Sequence, residues 1–429
     1  MKKLITTLIL IFLSFDINAE ENLRFFLNKA IENNLQLNAE RKNLESAIHD
    51  RNISRSEFLP SITLSGDQST KVSTNRTNQS GQSLADSNSD TENRTISLEQ
   101  KIFTGFKGVN TFKKSELETQ RAKLLLKRAE QSTILSTASA YYDLIFKVNS
   151  KKYNSSNVDL FERQVEFDNA RLQKGEITLT DLAQSESSLA GANANLIKAK
   201  TELLSSQTNF ERVTREKAPK VENLNGKVIL ELPNSLNLAL EISNLNNISL
   251  LIAKLDFEIS NKNLNIERAR LSPSASIKYS KSENNDFSST IDETDEETVK
   301  ATITWPIIKG GENISSIKKS TVEKQRAQLL LQDAKSKITT DTTNSWSKYQ
   351  SSKSVLEATR AQLRAAEIAN EGISLEYDSG NTRTTLEVVQ SRSLLLDARI
   401  AFSKAERDFM VSQFELANQI GNLSIKTLK

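Results

Sequence analysis

The chain repeats itself at a fixed spacing, and no other feature limits its fold as tightly. Gln120-Arg121-Ala122-Lys123-Leu124-Leu125-Leu126 matches Gln325-Arg326-Ala327-Gln328-Leu329-Leu330-Leu331, and Lys113-Lys114-Ser115 matches Lys318-Lys319-Ser320, both 205 positions further on. Gly105 and Gly175 fall on Gly310 and Gly380 at the same offset. Upstream, Leu59-Pro60 answers Ser272-Pro273, and downstream Gln184-Ser185 answers Gln390-Ser391. Sequence and spacing agree together, which marks an internal duplication: whatever unit one copy builds, the other builds again.

Each copy reads helix, strand, strand, helix, helix. The first helix, Leu23 to Phe58 in copy one and Leu238 to Leu271 in copy two, stops at Pro60 and Pro273, which mark the passage from helix into strand. Beyond them apolar residues alternate, as Ile62, Leu64, then Ile96, Leu98, Ile102, and again as Ala275, Ile277, Tyr279, then Val299, Ala301, Ile303, Trp305. That period predicts strands with one apolar face at about 61–75, 93–103, 274–283 and 298–308. The joining stretches, Thr74 to Asn93 and the acidic Glu283 to Glu297, read as solvated loops; the acidic one lacks the ordered spacing and central glycine of a calcium loop.

No proline interrupts Gly105 to Gly175 or Gly310 to Gly380, so each is expected to form one helix of about 70 residues, roughly 100 Å long at 1.5 Å per residue. The partner after Gly175 carries Leu182, Leu189, Leu196, Leu203 and Phe210 at seven-residue intervals; after Gly380 come Val388, Leu395, Phe402, Phe409, Leu416 and Leu423. Such a repeat specifies a coiled-coil seam. Tip turns are placed at about 175–180 and 380–385, a linker at 216–237 between copies spanning 20–215 and 238–421, and a tail at 422–429.

Met1, Lys2 and Lys3 precede an apolar core and Ala19, the layout of a secretory signal peptide over 1–19. No later run is apolar enough for a membrane helix, so membrane insertion must use strands. Removing Lys2, Lys3 and Asp16 from 57 basic and 54 acidic side chains leaves 55 and 53, which gives no electrostatic case for nucleic acid. The chain has no Cys and a single His, His49, among polar neighbours; no catalytic, cofactor or metal signature is present. Four strands cannot close a spanning barrel, since the smallest have about eight, so oligomerisation follows. Three copies would contribute twelve strands.

Together the signal peptide, the Leu27-to-Asn34 stretch, Leu59-Pro60, Ile102-Phe103-x-Gly105, Tyr141-Tyr142 and the repeat resemble the TolC-like outer-membrane factors of efflux pumps and type I secretion systems. The resemblance covers essentially the whole mature chain. It implies a mainly α fold with a β-barrel part: a homotrimer with a twelve-stranded barrel in outer-membrane lipid, continued by a periplasmic helical barrel. It also implies partners, namely a periplasmic adaptor (membrane fusion) protein and an inner-membrane transporter of the RND, ABC or MFS type, with Gly175 and Gly380 at the tips that meet the adaptor. The segment Lys217 to Leu236 would belong to a small equatorial domain. Thr180 and Asp181, and Tyr377, Arg383 and Glu387, match residues that close the family's gate. Three departures are visible: an extra Asn381, Gln390 where a second pore carboxylate is expected, and Glu406 where an Arg is expected, which leaves Arg383 and Arg407 as candidate lock partners. The rival readings are a trimeric coiled-coil surface stalk or adhesin, which leaves the strand insertions unexplained, and a periplasmic adaptor, which would carry one hairpin rather than two.

Overall fold

The computed structural model describes residues 23–219, 230–288, 291–379 and 383–427. The proposed signal peptide, Gly380, Asn381 and Thr382 lie outside them, as does part of the proposed linker. Among the described residues the chain runs α1 (Leu23–Asn33), α2 (Leu35–Arg55), β1 (Ser61–Ser73), β2 (Arg76–Thr77), β3 (Ser83–Leu84), β4 (Ser87–Phe103), α3 (Lys107–Gln173) and α4 (Leu179–Thr214). It then continues through α5 (Leu236–Asn246), α6 (Ile248–Ala269), β5 (Ser274–Ser288), β6 (Ile291–Thr304), α7 (Glu312–Asp378) and α8 (Thr385–Gln419). The two long helices are each 67 residues, and their returning partners 36 and 35.

Two compact units share these elements. One consists of residues 39–128 and 248–338 and contains the strands. Its sheet has the order β1-β4-β5-β6, every neighbour antiparallel. Apolar side chains fall on one face, where Ile62 opposes Leu98, Leu98 opposes Tyr279 and Tyr279 opposes Val299. The opposite face is polar: Thr63, Ser97, Ser280 and Thr298 form one continuous row. Beneath the sheet, Ser54 and Ser115 share a hydrogen bond of 2.6 Å between α2 and α3, and Arg121 pairs with Asp256 at 2.6 Å between α3 and α6. Gly105 adopts a φ of +63°, and a Cβ there would lie 2.4 Å from Ser272 Cβ, so only glycine fits.

The strands run further than the alternation of apolar residues indicates. β4 begins at Ser87 rather than near 93, and the acidic stretch read as a solvated loop, Glu283 to Glu297, is mostly strand, with Glu283 opposite Asp295 and Lys281 opposite Glu297. A backbone ladder needs no apolar face once it leaves the core, so hydropathy does not mark its end. β6 stops at Thr304 instead of near 308, because Pro306 has no N–H to extend the ladder.

The second unit consists of residues 23–38, 129–247 and 339–427 as far as described. Its core joins α1, α3, α4 and α8 around Phe26, Tyr141, Phe210 and Phe414, with the Phe26 and Phe210 rings 4.9 Å apart edge to face. The seven-residue seam is what α4 and α8 bury: Leu182, Leu203 and Phe210 with Ala192 and Ala199, and Val388, Leu395 and Leu416 with Ala398 and Ala405. The tail is part of this core, for Leu423 is buried and its carbonyl accepts a 3.2 Å bond from Gln131.

Each first helix, read from sequence as continuous, is broken at an asparagine. Asn34 Oδ1 accepts from Leu37 N at 3.1 Å and so caps α2, while its Nδ2 donates to the Val213 carbonyl at 3.5 Å. Asn247 holds the matching place in copy two, with Nδ2 donating to the Gln419 carbonyl at 2.7 Å. A short polar side chain that competes for backbone groups supplies a break that apolar periodicity does not reveal.

Candidate functional site: the hairpin ends

α3 ends in a Schellman turn, with Glu176 N donating to Arg171 O at 2.9 Å and Gly175 N to Leu172 O at 2.9 Å, and Gly175 at a φ of +72°. α4 then starts with a capping box: Thr178 Oγ1 accepts from Asp181 N at 3.3 Å, while Asp181 Oδ2 accepts from Thr178 N at 2.9 Å and from Thr178 Oγ1 at 2.7 Å. These bonds from Thr178, helped by the charge of Arg171, hold the Asp181 carboxyl below its ordinary range. Thr180 is exposed on the first turn of α4.

The second hairpin repeats the design one residue out of step. Thr384 caps α8, its Oγ1 accepting from Glu387 N at 3.3 Å, and Glu387 Oε2 accepts from Thr384 N at 2.8 Å. Arg383 bridges the two arms: Nε meets Glu376 Oε2 at 2.6 Å and Nη1 meets Glu387 Oε1 at 2.9 Å. The Thr384 amide, then Arg383, depress the Glu387 carboxyl.

Asp181 and Arg383, a natural ion pair on paper, therefore find their partners inside their own hairpins. Arg407, the other candidate, reaches Asp143 Oδ1 at 3.1 Å and Asp408 at 2.6 Å. Glu406, in the place where an Arg was expected, has its carboxyl pushed up by burial against the opposing charge of Arg360.

Arg407 thus joins α8 to α3, as does Arg392, whose Nη1 donates to the Leu160 carbonyl at 3.2 Å; nearer the hairpin ends the joint is Tyr377. It is buried, and its hydroxyl donates to Asp168 Oδ1 at 2.8 Å and lies 3.1 Å from Thr385 Oγ1. Gln164 Nε2 donates to Asp168 Oδ1 at 2.9 Å and to the Tyr377 oxygen at 3.3 Å, and Ser185 Oγ donates to Asp168 Oδ2 at 2.5 Å. α3, α4, α7 and α8 thus meet at one buried polar cluster, with the Arg171 guanidinium 5.2 Å from the Tyr377 ring centre. Burial raises the Tyr377 phenol above its usual value. Sequence reasoning identified Tyr377 and missed Asp168, Gln164, Ser185 and Thr385. A signal existed for Asp168: it stands seven residues after buried Phe161, so a charge occupies a seam position.

Comparison with known proteins follows the duplication. A family profile described as "Outer membrane efflux protein" matches residues 26–214 and again 239–422. The outer membrane efflux protein BepC of Brucella suis is 26% identical over 411 residues, covering 95% of this chain and 87% of that one. The outer membrane protein TolC of Vibrio cholerae is 24% identical over 411 residues, covering 94% and 91%. Among solved structures, the outer membrane channel CmeC of Campylobacter jejuni superposes with a TM-score of 0.81 at 16% identity, covering 94% of this chain and 86% of that one.

Proposed function

The chain belongs to the outer membrane efflux protein family, and on that footing we propose that three copies of it close into one trans-envelope exit duct, shut at the hairpin ends. It is an outer-membrane efflux channel. The observation that carries the oligomer is the sheet: four strands with open edges and an apolar face left bare, Leu64 79% exposed and Ile303 78%. In hydrocarbon every strand edge has to be paired, so twelve strands from three chains satisfy what four cannot. α7 supports the same reading. α3 is largely buried along the second unit's core, whereas the equally long α7 leaves Val322, Leu329, Ile368 and Leu375 exposed, a face fit for a sister chain.

At the hairpin ends Tyr377 ties the two hairpins of one chain through Asp168, while Thr180, Asp181, Arg383 and Glu387 remain accessible to neighbouring copies and to the axis. Three Glu387 carboxylates around an axis would form a ring that attracts cations where the Arg383 partner of each swings aside. The hairpin ends, the first of them at Gly175, present the surface to a periplasmic adaptor, which couples the duct to an inner-membrane transporter. Outer-membrane fractionation, heat-modifiable migration on gels and planar-bilayer conductance test this reading together. A heat-sensitive trimer with a small, mostly closed conductance is expected; a monomer that never partitions into detergent overturns it.

A further inference from the structure

Side chains of a strand alternate between faces, and on this sheet the alternation separates charge as well as hydropathy. In the duct proposed above the apolar face meets lipid, so the face of Thr63, Ser97, Ser280 and Thr298 lines the bore. One row nearer the helices, that face carries Ser61, Glu99, Lys278 and Lys300, each opposite the next. The row after it carries Lys101, Ser276 and Thr302. Neighbouring carboxylates do not balance these lysines, because alternation turns them away. Glu283, Glu293, Asp295 and Glu297 share the face of Tyr279 and Val299; Glu296 shares the face of Lys300 but stands two rows off.

The lysine rows end in an open recess of about 550 Å³, lined by Lys101, Lys107, Arg270 and Lys309, by Glu57 and Glu99, and by the same Ser276 and Thr302. Two of its cations are answered within the chain: Lys101 pairs with Glu57 at 3.1 Å and Arg270 with Glu312 at 3.4 Å. Among the described residues Lys107 and Lys309 pair with no carboxylate, nor do Lys278 and Lys300, and all four are exposed. Lys278 stands directly opposite Lys300, a placement of like charges that costs a sheet stability. An anion held between them turns that repulsion into attraction.

We infer that this end of the polar face is an anion-binding belt, in which Lys278 and Lys300 of each copy, backed by Lys107 and Lys309, take the phosphate, sulfonate or carboxylate groups of passing cargo. The inference rests on the oligomeric duct proposed above and adds the chemical class of what it holds. Lysine carries three donors on a flexible stem, so the belt follows charge more than shape. A recess walled by one sign of charge also concentrates ions of the other. Its sign is opposite to that of Glu387, so the two places are distinguished by the charge of what they bind.

Inorganic pyrophosphate is the probe, added to each side of a planar bilayer in turn at about 0.1 M salt, where charges act over about 10 Å. Lys278→Gln with Lys300→Gln is compared with the native chain, with Lys278→Arg plus Lys300→Arg, and with Lys71→Gln, which removes a lysine of the same face opposite Ser89. From one side, the native current is expected to be half-blocked at a concentration at least about tenfold lower than in the glutamine pair, whose reversal potential in a salt gradient shifts toward cations. The arginine pair and Lys71→Gln are expected to keep the native block. Because the glutamine pair also relieves the opposed charges, it should melt no lower than the native chain, which separates loss of binding from loss of fold. Equal block of the native chain and the glutamine pair, loss of block in the arginine pair, or an equal loss in Lys71→Gln overturns the belt. A preparation that amine cross-linking shows to be monomeric, and that forms no channel, overturns the duct itself.

Discussion

The two hairpins are built alike at their turns and differently at their flanks. Both open their returning helix with a threonine and a carboxylate locked in a reciprocal cap, Thr178 with Asp181 and Thr384 with Glu387. Four positions flanking the turns break the repeat. Asp168, Gln164 and Leu172 of the first hairpin are matched by Ile373, Ala369 and Tyr377 of the second, and Leu179 by Thr385. Duplication kept what makes a hairpin and altered what makes two hairpins hold each other. The carboxylate stayed on one copy and the phenol on the other, so neither hairpin can form the cluster alone.

The sharpest way to break that comparison is Asp168→Leu. It removes the acceptor shared by Tyr377, Gln164 and Ser185; Tyr377 and Gln164 keep each other and Thr385, while Ser185 loses its bond, a loss that costs a buried group about 1–3 kcal/mol. A lower melting temperature and a raised single-channel conductance are expected; unchanged conductance would detach the cluster from gating. Tyr377→Phe comes next. It deletes one bond to a charged acceptor, worth about 1.5–3 kcal/mol, and leaves Asp168 two donors. Conductance should rise less than in Asp168→Leu, and the double variant should add little, since both members act through one contact.

Smaller effects sharpen the likeness rather than the difference. Thr178→Ala and Thr384→Ala each remove a cap worth about 1 kcal/mol, and thermal unfolding should shift equally in the two. A clear inequality would show that the turns are not equivalent. The smallest effect concerns pH. Asp181 and Glu387 have folded-state carboxyls below their ordinary values, so the stability they lend is complete above the unfolded value and is lost as pH falls through the folded one. The thermal advantage of the native chain over Asp181→Asn with Glu387→Gln should therefore shrink as the medium is acidified below about pH 4. An advantage that stays constant would remove the caps from the pH response.

Much of this was legible before any coordinates, and the reasons for the exceptions are physical. Seven-residue spacing betrays a seam because burial at Leu203, Phe210 and Leu395 requires it, and glycine at 175 betrays a left-handed turn. Strand ends were not legible, since Ser87 and Asp295 pair through backbone groups that every residue carries. Nor were the helix breaks, where Asn34 and Asn247 look like ordinary polar surface. The Asp168 cluster eluded reading for another reason: its phenol lies 209 positions away, and only the packed helices bring the two together. Within the chain Arg383 pairs with both Glu376 and Glu387, a choice among nearby carboxylates that only the folded turn makes.

Among the described residues the bonds to Asp168 come from an amide and two hydroxyls, none from a cation. A latch made from an arginine bonded to a carboxylate would leave two bare charges if it parted; here the bonds lost would leave one carboxylate and neutral amide and hydroxyl groups, with the Arg171 guanidinium still over the Tyr377 ring.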